Sequence, residues 1–276
     1  MAAAGRGRRM LYLLLFLPVA AYLTIAGALW ALQERIIFPA YLVPAAGPLP
    51  PGAERLTLTD EDGATLEGLA LPPAEGEGHD LLLAFVGNAS NAQGVAEELS
   101  DIFPGHRIVA FHYRGYAPST GLAAAERLIE DAPRLHDLAR ERFRPRRLVA
   151  VGISLGSGVA ASLAARRELD GLILVTPFDS LGATAAQHYP WLPVRLLLRH
   201  EIDSAAALRD VRTPVAIVAA SRDTTIPPER TAALRRAVPN LVFDETLQGA
   251  HHNDIALQRR FPLAMREAME RIEAAN

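Results

Sequence analysis

Hydrophobic and polar positions divide the chain into three regimes. Residues 11–32, LYLLLFLPVAAYLTIAGALWAL, carry no charge. Residues 39–53, PAYLVPAAGPLPPGA, mix Pro, Gly and Ala without a period, which predicts an extended linker or arm. From residue 54 onward the pattern is that of a folded domain. RLTLTD (55–60) and TLEGLAL (65–71) alternate apolar with polar, and the Asp-Glu-Asp-Gly between them predicts an antiparallel hairpin. The next strands read as LLLAFV (81–86), RIVAFHY (107–113), RRLVAVG (146–152), LILVT (172–176), PVAIVAA (214–220) and LVFDETL (241–247). Continuous apolar runs such as 81–86 belong to strands buried on both faces. Helical stretches fill the intervals at 92–102, 122–142, 155–167, 228–237 and 254–274. This alternation predicts right-handed crossovers and a mostly parallel, doubly wound α/β sheet with the hairpin at its N-terminal end. Residues 178–209 break the rhythm and are too long for a simple connection, so they predict a short cap.

The first regime is long enough to span a bilayer, which takes ~20 apolar residues. Tyr12 and Trp30 sit near its ends, as interfacial aromatics do. Arg6, Arg8 and Arg9 precede it, which places that end in the cytoplasm and the rest of the chain in the periplasm or outside. Ala26-Gly27-Ala28 offers a small-residue cleavage site, so the first reading is an uncleaved anchor and the second a signal peptide. The predicted division is therefore an anchor over 1–32, a linker over 33–53 and one domain over 54–276.

Composition narrows the function. The net charge of −3 argues against a nucleic-acid surface. With no cysteine, disulfides, thiolate metal sites and a cysteine nucleophile are excluded. All 28 basic side chains are Arg, which together with the Ala-rich composition points to a GC-rich bacterial genome. No His/Asp/Glu spacing matches a metal site, and His112, inside an apolar run, reads as a buried histidine. His188 and His200 fall in the cap and read as surface or substrate-side residues.

The stretch GISLG (152–156) places Ser154 between two glycines, after one predicted strand and before a predicted helix. Chance supplies a GxSxG roughly once in ten chains of this length, so the context carries the signal. A serine nucleophile on a sharp strand-to-helix turn needs small neighbours, and the helix N-terminus aims free amides at the reacting oxygen. Such a serine also needs a base oriented by a third group. Asp223 follows the strand 214–220, and His251 and His252 follow the strand 241–247. This gives the order Ser, Asp, His at successive strand ends, where sites in such sheets lie. Asp179 is a second candidate acid, and spacing alone does not separate the two histidines. An oxyanion hole needs two backbone donors. Leu155 and Asn88, the latter in the loop VGNASN (86–91), are the candidates.

Together these residues resemble the α/β-hydrolase superfamily, and within it the membrane-anchored, bud-emergence-like and depalmitoylase-like serine hydrolases. The resemblance rests on VGNASN (86–91), YRGYAPSTG (113–121), GISLG (152–156), TPFDS (176–180), SRDTTIP (221–227) and HHND (251–254), and runs from about residue 33 to the end. Val86 stands where that group has the histidine of HGN, and Ala117 where a glycine follows YRGY. The resemblance implies the α/β-hydrolase fold and a triad of Ser154, Asp223 and His252, the histidine directly before Asn253. It further implies hydrolysis of an ester, thioester or amide without a cofactor. The expected substrate is a small molecule, a lipid or an acylated protein. Rival functions are a non-catalytic binding module on the same fold and a serine peptidase or acyltransferase. Val194, Leu196, Leu197 and Leu198 supply apolar side chains to the cap, enough to pack it or to seat an acyl chain.

Overall fold

The structure, a computed structural model, describes residues 2–60, 62–75 and 78–276, residues 2–15 as backbone only. The side chains of Arg6, Arg8, Arg9 and Tyr12, and Glu61 in the hairpin turn, thus lie outside the described residues. Eight strands form one sheet among the described residues: β1 (Glu54–Thr59), β2 (Thr65–Leu71), β3 (Asp80–Phe85), β4 (Arg107–Phe111), β5 (Arg147–Ile153), β6 (Gly171–Val175), β7 (Val215–Ala220) and β8 (Leu241–Leu247). Their order is β1-β2-β4-β3-β5-β6-β7-β8. β1 pairs antiparallel with β2, and β2 antiparallel with β4; every other pairing is parallel. The hairpin closes with Gly63 at φ 81°, where Gly is favoured because it has no Cβ, and Ala64 donates its amide to Asp62 Oδ1. β6 and β7 are buried at every position, as expected for strands covered on both faces.

The helices are α1 (Ala2–Ile37), α2 (Ala92–Ile102), α3 (Ala125–Phe143), α4 (Leu155–Ala164), α5 (Leu181–His188), α6 (Val194–Leu197), α7 (Ser204–Leu208), α8 (Pro228–Ala237) and α9 (Phe261–Ala275). α2 and α9 pack together on one face of the sheet, while α3, α4, α7 and α8 form a contiguous layer on the other. α5, α6 and α7 lie in the cap, whose ends meet in a bridge between Ser180 and Asp203. From β3 the chain crosses through α2 to β4, then returns through α3 to β5 on the other side of β3. A crevice opens beyond the carboxyl ends of strands at such a reversal.

Within α1, Phe16–Ile37 is long and apolar enough to cross a membrane, with a mean hydropathy of 1.5, and most of it is exposed. The helix continues past residue 32, so residues 33–37 are helical rather than extended. Tertiary contact explains this. Gln33 is 7% exposed; its Nε2 donates to the Leu197 carbonyl at 3.2 Å, and its Oε1 accepts the Arg199 amide at 2.8 Å. His200 is buried against Phe38, rings edge to face at 5.2 Å, and does not reach the surface or the cleft. The last helix also differs from the uninterrupted 254–274. A single 3-10 turn, Ile255–Leu257, precedes α9, which starts at Phe261 with Pro262 in its first turn, where the missing N–H costs nothing.

Candidate active site

β5 stops at Ser154 and α4 starts at the next residue. The reversal holds Ser154 at φ 51° and ψ −117°, a backbone conformation that side-chain-bearing residues rarely adopt. Its amide donates to the Val175 carbonyl of β6 at 2.9 Å, which pins the turn to the sheet. Two glycines permit the turn. A Cβ on Gly156 would stand 2.1 Å from the Phe85 carbonyl oxygen, and one on Gly152 would stand 2.5 Å from that of Gly156. Ser154 therefore sits at the carboxyl edge of the sheet, beside the N-terminal amides of α4.

The structure brings Asp223 and His252 to this serine. His252 Nε2 lies 2.9 Å from Ser154 Oγ, and His252 Nδ1 lies 2.7 Å from Asp223 Oδ2. With Nδ1 protonated, the imidazole donates to the carboxylate and presents a free lone pair to the serine hydroxyl. The other Asp223 oxygen, Oδ1, accepts the amides of Thr225 at 2.9 Å and Ile226 at 2.7 Å. Asp223 is 6% exposed, so this pairing compensates a charge that is almost wholly removed from water. Asp179 is engaged elsewhere, by Arg230 at 3.2 Å. His251 is exposed, and its amide bonds to Asp254. His188 Nε2 donates to the Thr225 carbonyl at 2.8 Å, tying the cap to the loop that holds Asp223.

The loop after β3 lies against the serine: a Cβ on Gly87 would stand 3.8 Å from Ser154 Cβ. Three successive carbonyls of this loop are held in place. Tyr113 donates its hydroxyl to the Val86 carbonyl at 2.8 Å, the Ser90 amide donates to Gly87 at 3.2 Å, and Tyr116 donates to Asn88 at 2.8 Å. In a trans peptide the C=O and N–H point opposite ways, so the Asn88 N–H is turned away from Ser90. Burial pushes both phenols up, so they stay protonated donors. The YRGY stretch in the sequence points to Tyr116 and Arg114 as stabilising the loop near the site; Tyr116 bonds to this loop, and Tyr113 joins it without a signal of its own. Arg114, between them, faces away from the cleft into a buried cluster with Asp131, at 2.6 and 2.7 Å, and with Asp60 and Asp62. It fastens the hairpin to α3 and pushes no charge toward the serine.

A cleft of about 500 Å³ opens above Ser154, walled by Asn88, Leu155, Phe178, Thr184, Thr225 and the end of α1 at Ile36 and Ile37. At the opposite edge of the sheet Asp80, His106 and Glu273 converge within 4.8 Å of one another. Arg146 and Arg147 already pair with Asp80, and Arg147 with Glu273, so that cluster's charge is balanced without a cation.

Comparison with known proteins agrees with the topology. Residues 81–200 match the alpha/beta hydrolase fold family. An uncharacterized protein of Mycobacterium tuberculosis is 30% identical over 252 residues, spanning 86% of this chain and 88% of its own. The lysophosphatidylserine lipase ABHD12 of Danio rerio is 28% identical over 172 residues, 54% of this chain and 44% of that protein. In fold, the Pyrococcus furiosus esterase superposes with a TM-score of 0.66 at 18% identity, over 84% of this chain and 97% of that one. The sheet order, the strand-to-helix turn at Ser154 and these matches lead to one conclusion: the chain belongs to the α/β-hydrolase superfamily.

Proposed function

We propose that this protein is a membrane-anchored serine hydrolase that cleaves an ester or thioester through an acyl-enzyme. The hydrogen-bonded sequence Ser154–His252–Asp223, at 2.9 and 2.7 Å, carries the reading. His252 Nε2 takes the Ser154 proton as Oγ attacks the substrate carbonyl carbon. The developing oxyanion receives the N–H groups of Leu155 and Asn88. His252, its positive charge offset by Asp223, then protonates the departing oxygen or sulfur, and the carbonyl bond to that atom breaks. Water, deprotonated by His252, attacks the acyl-serine; the acid leaves and Ser154 regains its proton. The strained φ at Ser154 and the three held carbonyls of the Val86–Asn88 loop support preorganisation, which keeps reorganisation during the reaction small.

The exposed apolar length of α1 supports anchoring, and the Gln33 clamp supports retention of the helix in the mature protein. The Arg-rich start favours a cytoplasmic N-terminus and a periplasmic domain. The lipase name of the ABHD12 relative favours a lipid-derived acyl group. Kinetics with p-nitrophenyl butyrate test the reading. Ser154→Ala and His252→Ala should each lose ~10³-fold or more in kcat, whereas wild-type turnover by Ser154→Ala would overturn it.

A further inference from the structure

The end of α1 is part of the site rather than a tether. Asn88 Nδ2, from the loop beside Ser154, donates to the Ile37 carbonyl at 3.2 Å. Four turns earlier, Tyr22 donates its hydroxyl to the Trp191 carbonyl at 3.3 Å. Between these points Gln33 binds the cap backbone at Leu197 and Arg199, and the Arg199 guanidinium lies 4.8 Å above the Trp30 ring. The helix is thereby held against the cap at points from Tyr22 to Gln33, and an apolar crevice of about 130 Å³ remains between them. Leu29 and Ile36 line one wall; Leu192, Val194 and Leu197 line the other. This crevice and the Ser154 cleft share Ile36, Ile37, Ala185 and Tyr189 in their walls, so they lie side by side.

From this adjacency we infer that the crevice is the acyl-chain subsite, and that its ligand is the long chain of a membrane lipid entering sideways from the bilayer. The proposal rests on the hydrolase reading of Ser154 and adds the substrate class. The chemistry of the walls selects an alkyl chain. Gln33 spends its amide on Trp30, Leu197 and Arg199, and besides it only Tyr189 and Trp30 bring a polar atom; the other lining residues are Leu, Ile, Val and Ala, which suit an alkyl chain. Location selects a membrane source. One wall is the apolar helix itself, and Trp30, Trp191 and Leu196 beside the crevice are 46%, 48% and 84% exposed. Exposed tryptophans next to a spanning helix suit the headgroup boundary. A chain lying along α1 toward Ser154 would exchange part of its contact with water for the apolar walls of the crevice, which lowers the hydrophobic cost of its transfer.

The test uses the full chain in nanodiscs of phosphatidylcholine and phosphatidylglycerol. Ala185→Phe fills the junction between crevice and cleft. It should lower the ratio of kcat/KM for p-nitrophenyl palmitate to that for the butyrate at least tenfold; an unchanged ratio overturns the proposal. A second arm needs no turnover. Ser154→Ala protein is irradiated with a palmitoyl probe carrying a diazirine near its methyl end, and the adducts are mapped by mass spectrometry. Adducts within 29–37 and 189–198, competed by palmitate and not by butyrate, support the subsite; adducts confined elsewhere, or none, overturn it. Crevice adducts in Ser154→Ala, found alongside a wild-type protein that does not hydrolyse the butyrate, would defeat the hydrolase reading alone and leave the acyl subsite standing.

Discussion

Tyr116 donates its hydroxyl to the Asn88 carbonyl at 2.8 Å across 28 positions of sequence. With Tyr113 on Val86, it fixes the loop whose Asn88 amide is assigned to the oxyanion. Both phenols act on the loop from outside it. Tyr116→Phe keeps the ring and removes only the donor. It should lower kcat about tenfold, or ~1.4 kcal/mol of barrier, with KM changed less than about twofold. Steady-state kinetics check this, with a melting curve alongside. An unchanged kcat with a lowered Tm would reduce Tyr116 to a packing residue.

Gly156 and Gly158 lie two residues apart on α4 and differ in what a methyl would strike. At Gly156 it meets backbone, the Phe85 carbonyl at 2.1 Å; at Gly158 it meets the side chains of Ile202 at 2.5 Å and Phe178 at 2.8 Å. Side chains can turn and a sheet backbone cannot. Gly158→Ala should cost about 1–3 kcal/mol, the usual range for overpacking. Gly156→Ala should cost more than about 4 kcal/mol or yield no folded protein. Equal denaturation midpoints for the two variants would contradict the account of the turn.

Burial lowers the pKa of His112 and of His200 below the ordinary histidine value of about 6.5. Glu67 opposes this at His112. At His200 Glu34 opposes it and Arg199 reinforces it. Above that value both states are neutral and neither histidine makes stability depend on pH. Below it the unfolded chain takes up protons that the folded chain resists, so stability falls as pH falls, by at most ~1.4 kcal/mol per pH unit for each residue. Denaturant unfolding between about pH 7 and 5.5 should show this loss, with a shallower slope in His112→Gln. Stability that holds level or rises toward acid would contradict it.

The strands were largely legible because each apolar run ends at turn residues: 172–176 was expected and Gly171–Val175 is found, while 241–247 is found at Leu241–Leu247. What was illegible depended on contacts distant in sequence. The stop of α1 was expected at residue 32, but Gln33 bonds to Leu197, 164 positions away, and the helix persists to Ile37. At the site, the order of serine, aspartate and histidine could be read from strand ends. Which of two adjacent histidines faces the serine could not, because the turn after β8 decides it, leaving His252 inside and His251 exposed. The YRGY stretch points to Tyr116 as a stabiliser of the loop, but its acceptor and the share of Tyr113 are not legible, because the acceptors are backbone carbonyls, which have no letter in a sequence.

Covalent labelling by a fluorophosphonate tests the nucleophile assignment most directly. The probe transfers a phosphonyl group to an activated serine with loss of fluoride, and tryptic mass spectrometry locates it. Wild-type protein should carry one adduct, on Ser154; Ser154→Ala should carry none, and His252→Ala should label at least ~10³-fold more slowly, in line with other triads. An unlabelled wild-type protein, or an adduct that persists in Ser154→Ala, would contradict the account.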